Sequence, residues 1–312
     1  MQQLKVYLQT TPYNDYDLEI ASADASFRKY YRLKEGKESY ILMDASLEKE
    51  SLKPFIEVSE KLHLVDVKAP QIYHKDLDNG YLILEDFGNT NLLDLLEQNN
   101  FQQLYKKAID EIIKMQKAKS SDLPLYDKEF LHFEMDLMRE WYLEKKLSHT
   151  LSASQEVMLS ETLDRISDVV LSQPQESFVH RDFHSRNIMV KADGSLGVID
   201  YQDAMSGAIT YDLVSLLKDC YIAFEREAIE ELVLYFRDTS QLDADDATFI
   251  KWFDFMGLQR HIKVLGVFSR LHIRDNKEGY LKDIPLTLSY VVDTAAKYDE
   301  TKELAQFLKG FQ

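Results

Sequence analysis

The sequence predicts an α+β fold in two lobes, a small strand-rich one over residues 1–88 and a larger, mainly helical one over residues 89–312. Three observations carry that prediction. Two pairs of β-rich runs joined by glycine-containing turns precede Gly88, helical periodicity dominates after it, and 312 residues are more than one small core needs.

In the first lobe, "RKYYRLK" and "SYILMDA" flank the turn "EGKE" and read as a hairpin. "EKESLKPFIEVSEKLHL" then places Leu52, Phe55, Ile56, Val58 and Leu62 at helical spacing. "PQIYHKD" and "YLILEDFG" form a second strand pair around "LDNG", whose Asn-Gly suits a tight turn. Beyond Gly88, "NLLDLLEQNNFQQLYKKAIDEIIKMQKA" puts Leu104, Ala108, Ile112 and Met115 on one helical stripe. "KEFLHFEMDLMREWYLEKKL" is another amphipathic stretch, and "SASQ" from Ser152 reads as a capping box opening the next helix. A strand island at 178–200 interrupts the helices, which then run to the end.

Composition narrows the function. Hydrophobic residues make up 45 % and charged residues 29 %, an ordinary globular balance. The net charge of −17 points away from nucleic acid and anionic membranes, since both require a basic footprint. A single cysteine, Cys220, forms no intrachain disulfide; it fits a reducing cytosol and reads as a small core residue within an apolar helical stretch. "MQQLKVYLQTT" has no apolar leader core, and no stretch reaches the roughly 18 apolar residues that span a bilayer. The expectation is a soluble, cytoplasmic protein with no membrane, nucleic-acid or obligate protein partner.

The strand island carries the chemistry. "FVHRDFHSRNIMVKADGSLGVIDYQDA" holds a His-Arg-Asp triplet, an Asn five positions after the Asp, and a second Asp thirteen positions after the Asn. Asp193-Gly194 suits a hairpin turn that returns Asp200 beside the loop bearing Asp182 and Asn187. Two carboxylates and an amide are hard oxygen donors that suit Mg²⁺ and a nucleotide's phosphates. Asp182 is then the candidate base for a hydroxyl proton, with Asn187 and Asp200 as metal ligands, a spacing that matches the kinase signature. The plainer alternative has Asp182 and Asn187 capping turns and Asp200 ending a strand.

At these residues the chain resembles the aminoglycoside phosphotransferase and choline kinase branch of the protein-kinase-like fold, through "HRDFHSRNIMV", "VIDYQDA" and "TYDLVSLL". It is more narrowly similar to the bacterial anomeric kinases of cell-wall amino sugars, through "ADASFRKYYRL", "ILMDAS", "LILEDFG", "MREWYLEKKL" and above all "FMGLQRHIKVLGVFSRLHIRDNKEGYL". The resemblance spans nearly the whole chain. It implies ATP and Mg²⁺ as cofactors and C1 phosphorylation of N-acetylmuramate or N-acetylglucosamine in peptidoglycan recycling. It also makes Asp212 a brace for the catalytic loop, although a helix cap is an equally physical reading of that residue.

Further candidate site residues follow. The strand "SYILMDA" lacks the lysine that kinases use to hold phosphates. Arg28 is the candidate replacement, with Ser26 in the "ADAS" turn beside it and Glu57 as the carboxylate that orients it. Arg28 and Arg32 are expected to share one face of the strand "FRKYYRL", because side chains alternate. "LILEDFG" reads as the hinge, with free backbone groups from Glu85 to Phe87 for the adenine edge. On the acceptor side, the basic run Arg260, His261, Lys263, Arg270, His272, Arg274 and Lys277 suits a neutral or anionic acceptor rather than a polycation. Arg260 is the candidate grip on a sugar carboxylate, Trp141 with Tyr142 a flat face for the ring, Asp203 and Arg186 further contacts, and His184 a loop brace. A solvated helix face and core aromatics are the plainer reading of the same residues. Two other functions stay open: an aminoglycoside or other small-alcohol kinase, and a pseudokinase suggested by the absent strand lysine.

Overall fold

A computed structural model describes residues 2–22 and 28–312. The strands, in chain order, are β1 (Asp17–Ser22), β2 (Lys29–Glu35), β3 (Glu38–Asp44), β4 (Ile72–Asp76), β5 (Tyr81–Glu85), β6 (Ser177–Val179), β7 (Ile188–Val190), β8 (Leu196–Val198) and β9 (Met205–Gly207). The α-helices are α1 (Gln2–Leu8), α2 (Leu52–Leu64), α3 (Phe101–Met115), α4 (Lys128–Leu137), α5 (Ala153–Leu171), α6 (Tyr211–Leu217), α7 (Arg226–Thr239), α8 (Asp246–Asp275), α9 (Ile284–Ala295) and α10 (Lys302–Lys309). Among the described residues no helix is long and apolar enough to cross a membrane. The chain divides into two compact units: Met1–Thr90 with Met189–Asp203, and Asn91–Ile188 with Ala204–Gln312.

The first unit is built on an antiparallel sheet in the order β1-β2-β3-β5-β4. β2 and β3 pair from Lys29↔Asp44 to Glu35↔Glu38, closed by a two-residue turn in which Gly36 takes φ 58°. Alternation sends Leu33 and Leu42 into a core with Ile83, Tyr81, Leu4 and Tyr7. The "LDNG" turn is wider than a tight hairpin: Asp76 accepts from the Asn79 N–H and side chain, and Gly80 lies against Ser46. A Cβ on Gly80 would stand 2.8 Å from the Ser46 Cα. α2 buries Leu52, Phe55, Val58 and Leu62, while Ile56 stays at the rim.

The β7–β8 hairpin turns at Gly194 (φ 77°) and is grouped with this unit because of bonds far apart in sequence. Val190 N–H donates to the Thr90 carbonyl (2.9 Å) and Val198 N–H to the Lys68 carbonyl (2.8 Å). Lys191 pairs with Glu85, and Phe87 lies so close to Gly197 that a Cβ there would be 2.5 Å from the ring.

The second unit is helical around α8, which at 30 residues is about 45 Å long. Its middle is buried almost all round, from Phe253 to Ile262. At Gly266 it meets the end of α4 so closely that a Cβ would lie 2.2 Å from the Leu137 carbonyl carbon. From that point the α4 helix widens into a π-helix, Met138–Lys146. α5 opens on the expected capping box: Ser152 Oγ accepts from Gln155 N–H, and Gln155 Oε1 from Ser152 N–H. The buried stripe of α3 runs through Phe101, Tyr105, Ala108, Ile112 and Met115, with Leu104 at its edge. Cys220 is buried as expected but lies just beyond α6 rather than in a helix.

Candidate active site

In the second unit, β6 ends at Val179 and the polar loop 180–187 leads into β7. Asp212, in the first turn of α6, accepts from the N–H groups of His180 (2.7 Å) and Arg181 (3.1 Å). Thr210 is the residue at the helix cap, so the Asp212 carboxylate serves the loop. Burial pushes its carboxyl up to about 7 despite those two bonds, and Asp182's charge adds to the rise.

The loop is fastened at further points. Asp182 N–H donates to His180 Nδ1 (3.2 Å), and the Asp182 carbonyl accepts from His184 N–H (3.0 Å) and from Asn187 Nδ2 (3.0 Å). Asp219 Oδ2 accepts from the Ser185 N–H (2.9 Å) and from its hydroxyl. Arg181 carries a left-handed backbone, φ 77°, uncommon outside glycine and characteristic of over-determined sites. Its guanidinium is directed away from solvent onto Glu134, with Nη2 to Oε1 at 2.7 Å.

Glu134 is 3 % exposed and collects four donors: Arg181, Lys263 (2.9 Å), Gln259 (3.3 Å) and the Tyr126 hydroxyl. Lys263 also donates to the Tyr211 hydroxyl at 3.1 Å. Burial by itself would raise the Asp182 carboxyl, but the charges of Lys263, His184, Arg260 and Arg181 outweigh it. They hold its pKa below the ordinary carboxylate value, so Asp182 is ionised at neutral pH and fit to accept a proton.

The basic run divides along α8. Arg260, His261 and Lys263 turn inward, whereas Arg274 pairs with Asp275 at the exposed end. Arg260 is 4 % exposed, with Nη1 3.8 Å from Cys220 Sγ. Its charge reaches Asp182, and burial this deep suits that role better than the expected grip on a sugar carboxylate. Tyr142 is core, and the Trp141 ring has Lys145 Nζ 3.5 Å over its centroid, so that face is already occupied by a cation. Arg186 lies half-buried with its guanidinium 3.6 Å above the Tyr221 ring, and His184 meets the edge of the same ring.

In the first unit, Asp200 follows β8, exposed and in a left-handed backbone (φ 65°) that Asp tolerates better than most residues. Gln202 Nε2 donates to both Asp200 (3.1 Å) and Asp203 (3.0 Å). Arg28 precedes β2 instead of lying in it, so it shares no strand face with Arg32. It is 9 % exposed and its Nε donates to Ser51 Oγ at 3.2 Å. Arg32 is committed to Asp86 (2.6 and 3.0 Å) and to Asn89 (2.6 Å). Glu57 is exposed with Lys53 3.8 Å away, which does not suit an orienting role for a buried arginine. Glu85 N–H is already bonded to the Gln71 carbonyl (2.8 Å) because the β4–β5 pairing runs on past Ile72, so it is not a free donor. Phe87 is buried, and Ser26 lies outside the described residues.

Glu134, Asp219 and Tyr221 do not stand out in the sequence. Glu134 left one signal, a carboxylate on the helix face that carries Leu131, Met135 and Met138, where an unpaired charge would be costly.

An antiparallel sheet unit together with a helical unit whose His-Arg-Asp loop is braced by a buried Asp defines a phosphotransferase of protein-kinase-like fold. The chain belongs to the phosphotransferase enzyme family, whose model matches residues 17–245. It is 39 % identical to the N-acetylmuramate/N-acetylglucosamine kinase of Neisseria meningitidis serogroup B, over 98 % of this chain and 94 % of that one. It is 36 % identical to the enzyme of the same name from Pseudomonas aeruginosa, over 94 % and 88 %. A choline kinase from Streptococcus pneumoniae shares the fold at 13 % identity, with a TM-score of 0.66 over 94 % of this chain and 98 % of that one. An ADP-bound aminoglycoside phosphotransferase does so at 16 % identity and a TM-score of 0.61, with the same coverage.

Proposed function

We propose that this enzyme transfers the terminal phosphate of ATP to the anomeric C1 hydroxyl of N-acetylmuramate and N-acetylglucosamine. The observation that carries this reading is similarity over nearly the full length to relatives bearing that name, joined to a catalytic loop with Asp182 and Asn187 both in place. The C1 oxygen bonds to the γ-phosphorus, the bond to ADP breaks, and Asp182 takes the hydroxyl proton. An anomeric hydroxyl is more acidic than an ordinary alcohol, so a carboxylate is an adequate base. Because the transition state is loose, positioning and charge neutralisation do most of the catalysis.

Asn187 and Asp200 are the proposed Mg²⁺ ligands. Asn187 donates its amide nitrogen to the Asp182 carbonyl, which fixes the side chain at the loop, and amide and carboxylate oxygens are the donor type Mg²⁺ takes. When bound, the ion neutralises phosphate charge. Arg28, with Ser26, is proposed for the phosphates and the backbone at Phe87 for the adenine edge. Asp203 and Trp141 remain candidates at the acceptor. Similarity over nearly the full length to relatives named for amino sugars favours such a sugar over a polycationic antibiotic.

Phosphorus NMR of ATP with enzyme and each sugar tests this reading. A new phosphomonoester coupled to the anomeric proton is expected. Phosphate on another hydroxyl, or transfer to a kanamycin-type acceptor in preference to both sugars, would overturn it.

A further inference from the structure

Beside the catalytic loop lie two opposite charges that the protein leaves unmatched. Arg186, directly before Asn187, lays its guanidinium on Tyr221 and makes no hydrogen bond or ion pair among the described residues. Five donors in a fixed fork are thus positioned but unused. Asp283 ends the 3₁₀ turn Glu278–Asp283 and stands at the cap of α9, yet its side chain does not cap the helix. It is 9 % exposed, and its buried Oδ2 has no partner. A nearly buried carboxylate without a donor is rare in folded proteins unless something else supplies one.

The two groups are electrostatically coupled without touching. Asp283 lies in the fields of Arg186, Lys282 and Asp219, and burial raises its carboxyl above the ordinary value. Asp219, the other nearby anion, is already satisfied by Ser185 and by the Tyr221 N–H (3.1 Å), so it does not claim the guanidinium. Tyr221 supplies a ring that holds the fork flat, and a flat fork binds a carboxylate through two parallel hydrogen bonds.

We propose that Arg186, held by Tyr221, and Asp283 form the acceptor-recognition subsite: the guanidinium receives the carboxylate that distinguishes an acidic N-acetyl amino sugar from its uncharged counterpart, and Asp283 accepts a hydroxyl or amide hydrogen common to both. This rests on the amino-sugar reading above and moves the carboxylate contact from the buried Arg260 to the accessible Arg186. It also explains why the cap position of α9 carries an Asp that caps nothing.

The test is kcat/KM of wild type, Arg186→Met, Arg186→Lys and Asp283→Asn with N-acetylmuramate and N-acetylglucosamine, with melting temperature as a check on folding. Arg186→Met is expected to lose at least about tenfold more with the acidic sugar than with the uncharged one, the worth of a charged bidentate contact. Arg186→Lys should recover part of that difference, because charge returns without the fork. Asp283→Asn should raise KM for both sugars together. Equal losses on both sugars in both arginine variants, or an unchanged KM in Asp283→Asn, would overturn the assignment alone. A wild type that phosphorylates neither sugar would overturn the amino-sugar reading and the assignment with it.

Discussion

Glu134 shows how a single side chain can hold a catalytic loop. Its carboxylate neutralises Arg181 and Lys263 in a site almost closed to water. Removing one member of such a buried set leaves uncompensated charge, which costs about 3–5 kcal/mol. Glu134→Gln keeps the shape and removes the charge. Denaturant unfolding should therefore show a loss of that order, and a variant as stable as wild type would mean the network is solvated. The proposed site residues Asp182 and Asn187 were legible in the sequence because short spacing fixes them relative to one another. Glu134, Asp219 and Asp283 were not. Arg181 lies 47 residues from Glu134 and Ser185 34 from Asp219, while the charge that faces Asp283 belongs to the distant Arg186; only the fold brings these groups near.

At the scale of elements, α8 organises the helical unit, and its two glycines make opposite demands. A Cβ at Gly266 would fall 2.2 Å from the Leu137 backbone, whereas at Gly257 it would meet the Lys218 side chain at an ordinary 3.7 Å. Alanine gains up to about 1 kcal/mol of helix propensity at either site. Gly257→Ala should be neutral or slightly stabilising. Gly266→Ala should be destabilising by about 1–3 kcal/mol or more, since backbone must shift to admit the methyl group. Equal unfolding midpoints for the two variants would contradict this close crossing. The sequence signalled the apolar stripe of α3 and the α5 capping box, since periodicity and caps are local. It gave no sign of the π-helix after Leu137, which begins at a tertiary crossing. Nor did it show that the hairpin after Asn187 bonds back to Lys68 and Thr90, for strand pairing at that range leaves no local pattern.

At the scale of the whole molecule, the buried histidine of α8 makes one part of the stability sensitive to acid. His261 is 1 % exposed, bonds through Nε2 to the Lys218 carbonyl (2.9 Å) and stacks on Tyr290. Burial, and then the charge of Arg260, pushes its pKa from 6.5 down to about 3. Its pKa is depressed on folding, so the unfolded chain binds a proton that the native state refuses between those values. The stability this group contributes is complete above about 6.5 and falls as the pH is lowered, whereas Asp212, with its carboxyl raised to about 7, works in the opposite sense over the same range. Between pH 6.5 and 5 the loss is about 2 kcal/mol from His261. His261→Gln should lose correspondingly less over that interval, and parallel stability curves for the two proteins would refute the assignment. The proposed function rests on Asp182: a carboxylate held ionised by surrounding cations, on a loop fastened by Asp212, Asp219 and Asn187. The most direct test is phosphoryl transfer from ATP to N-acetylmuramate by Asp182→Asn, measured alongside nucleotide affinity. A fall of about a thousandfold in kcat with near-normal nucleotide binding is expected, and full activity would place the base elsewhere.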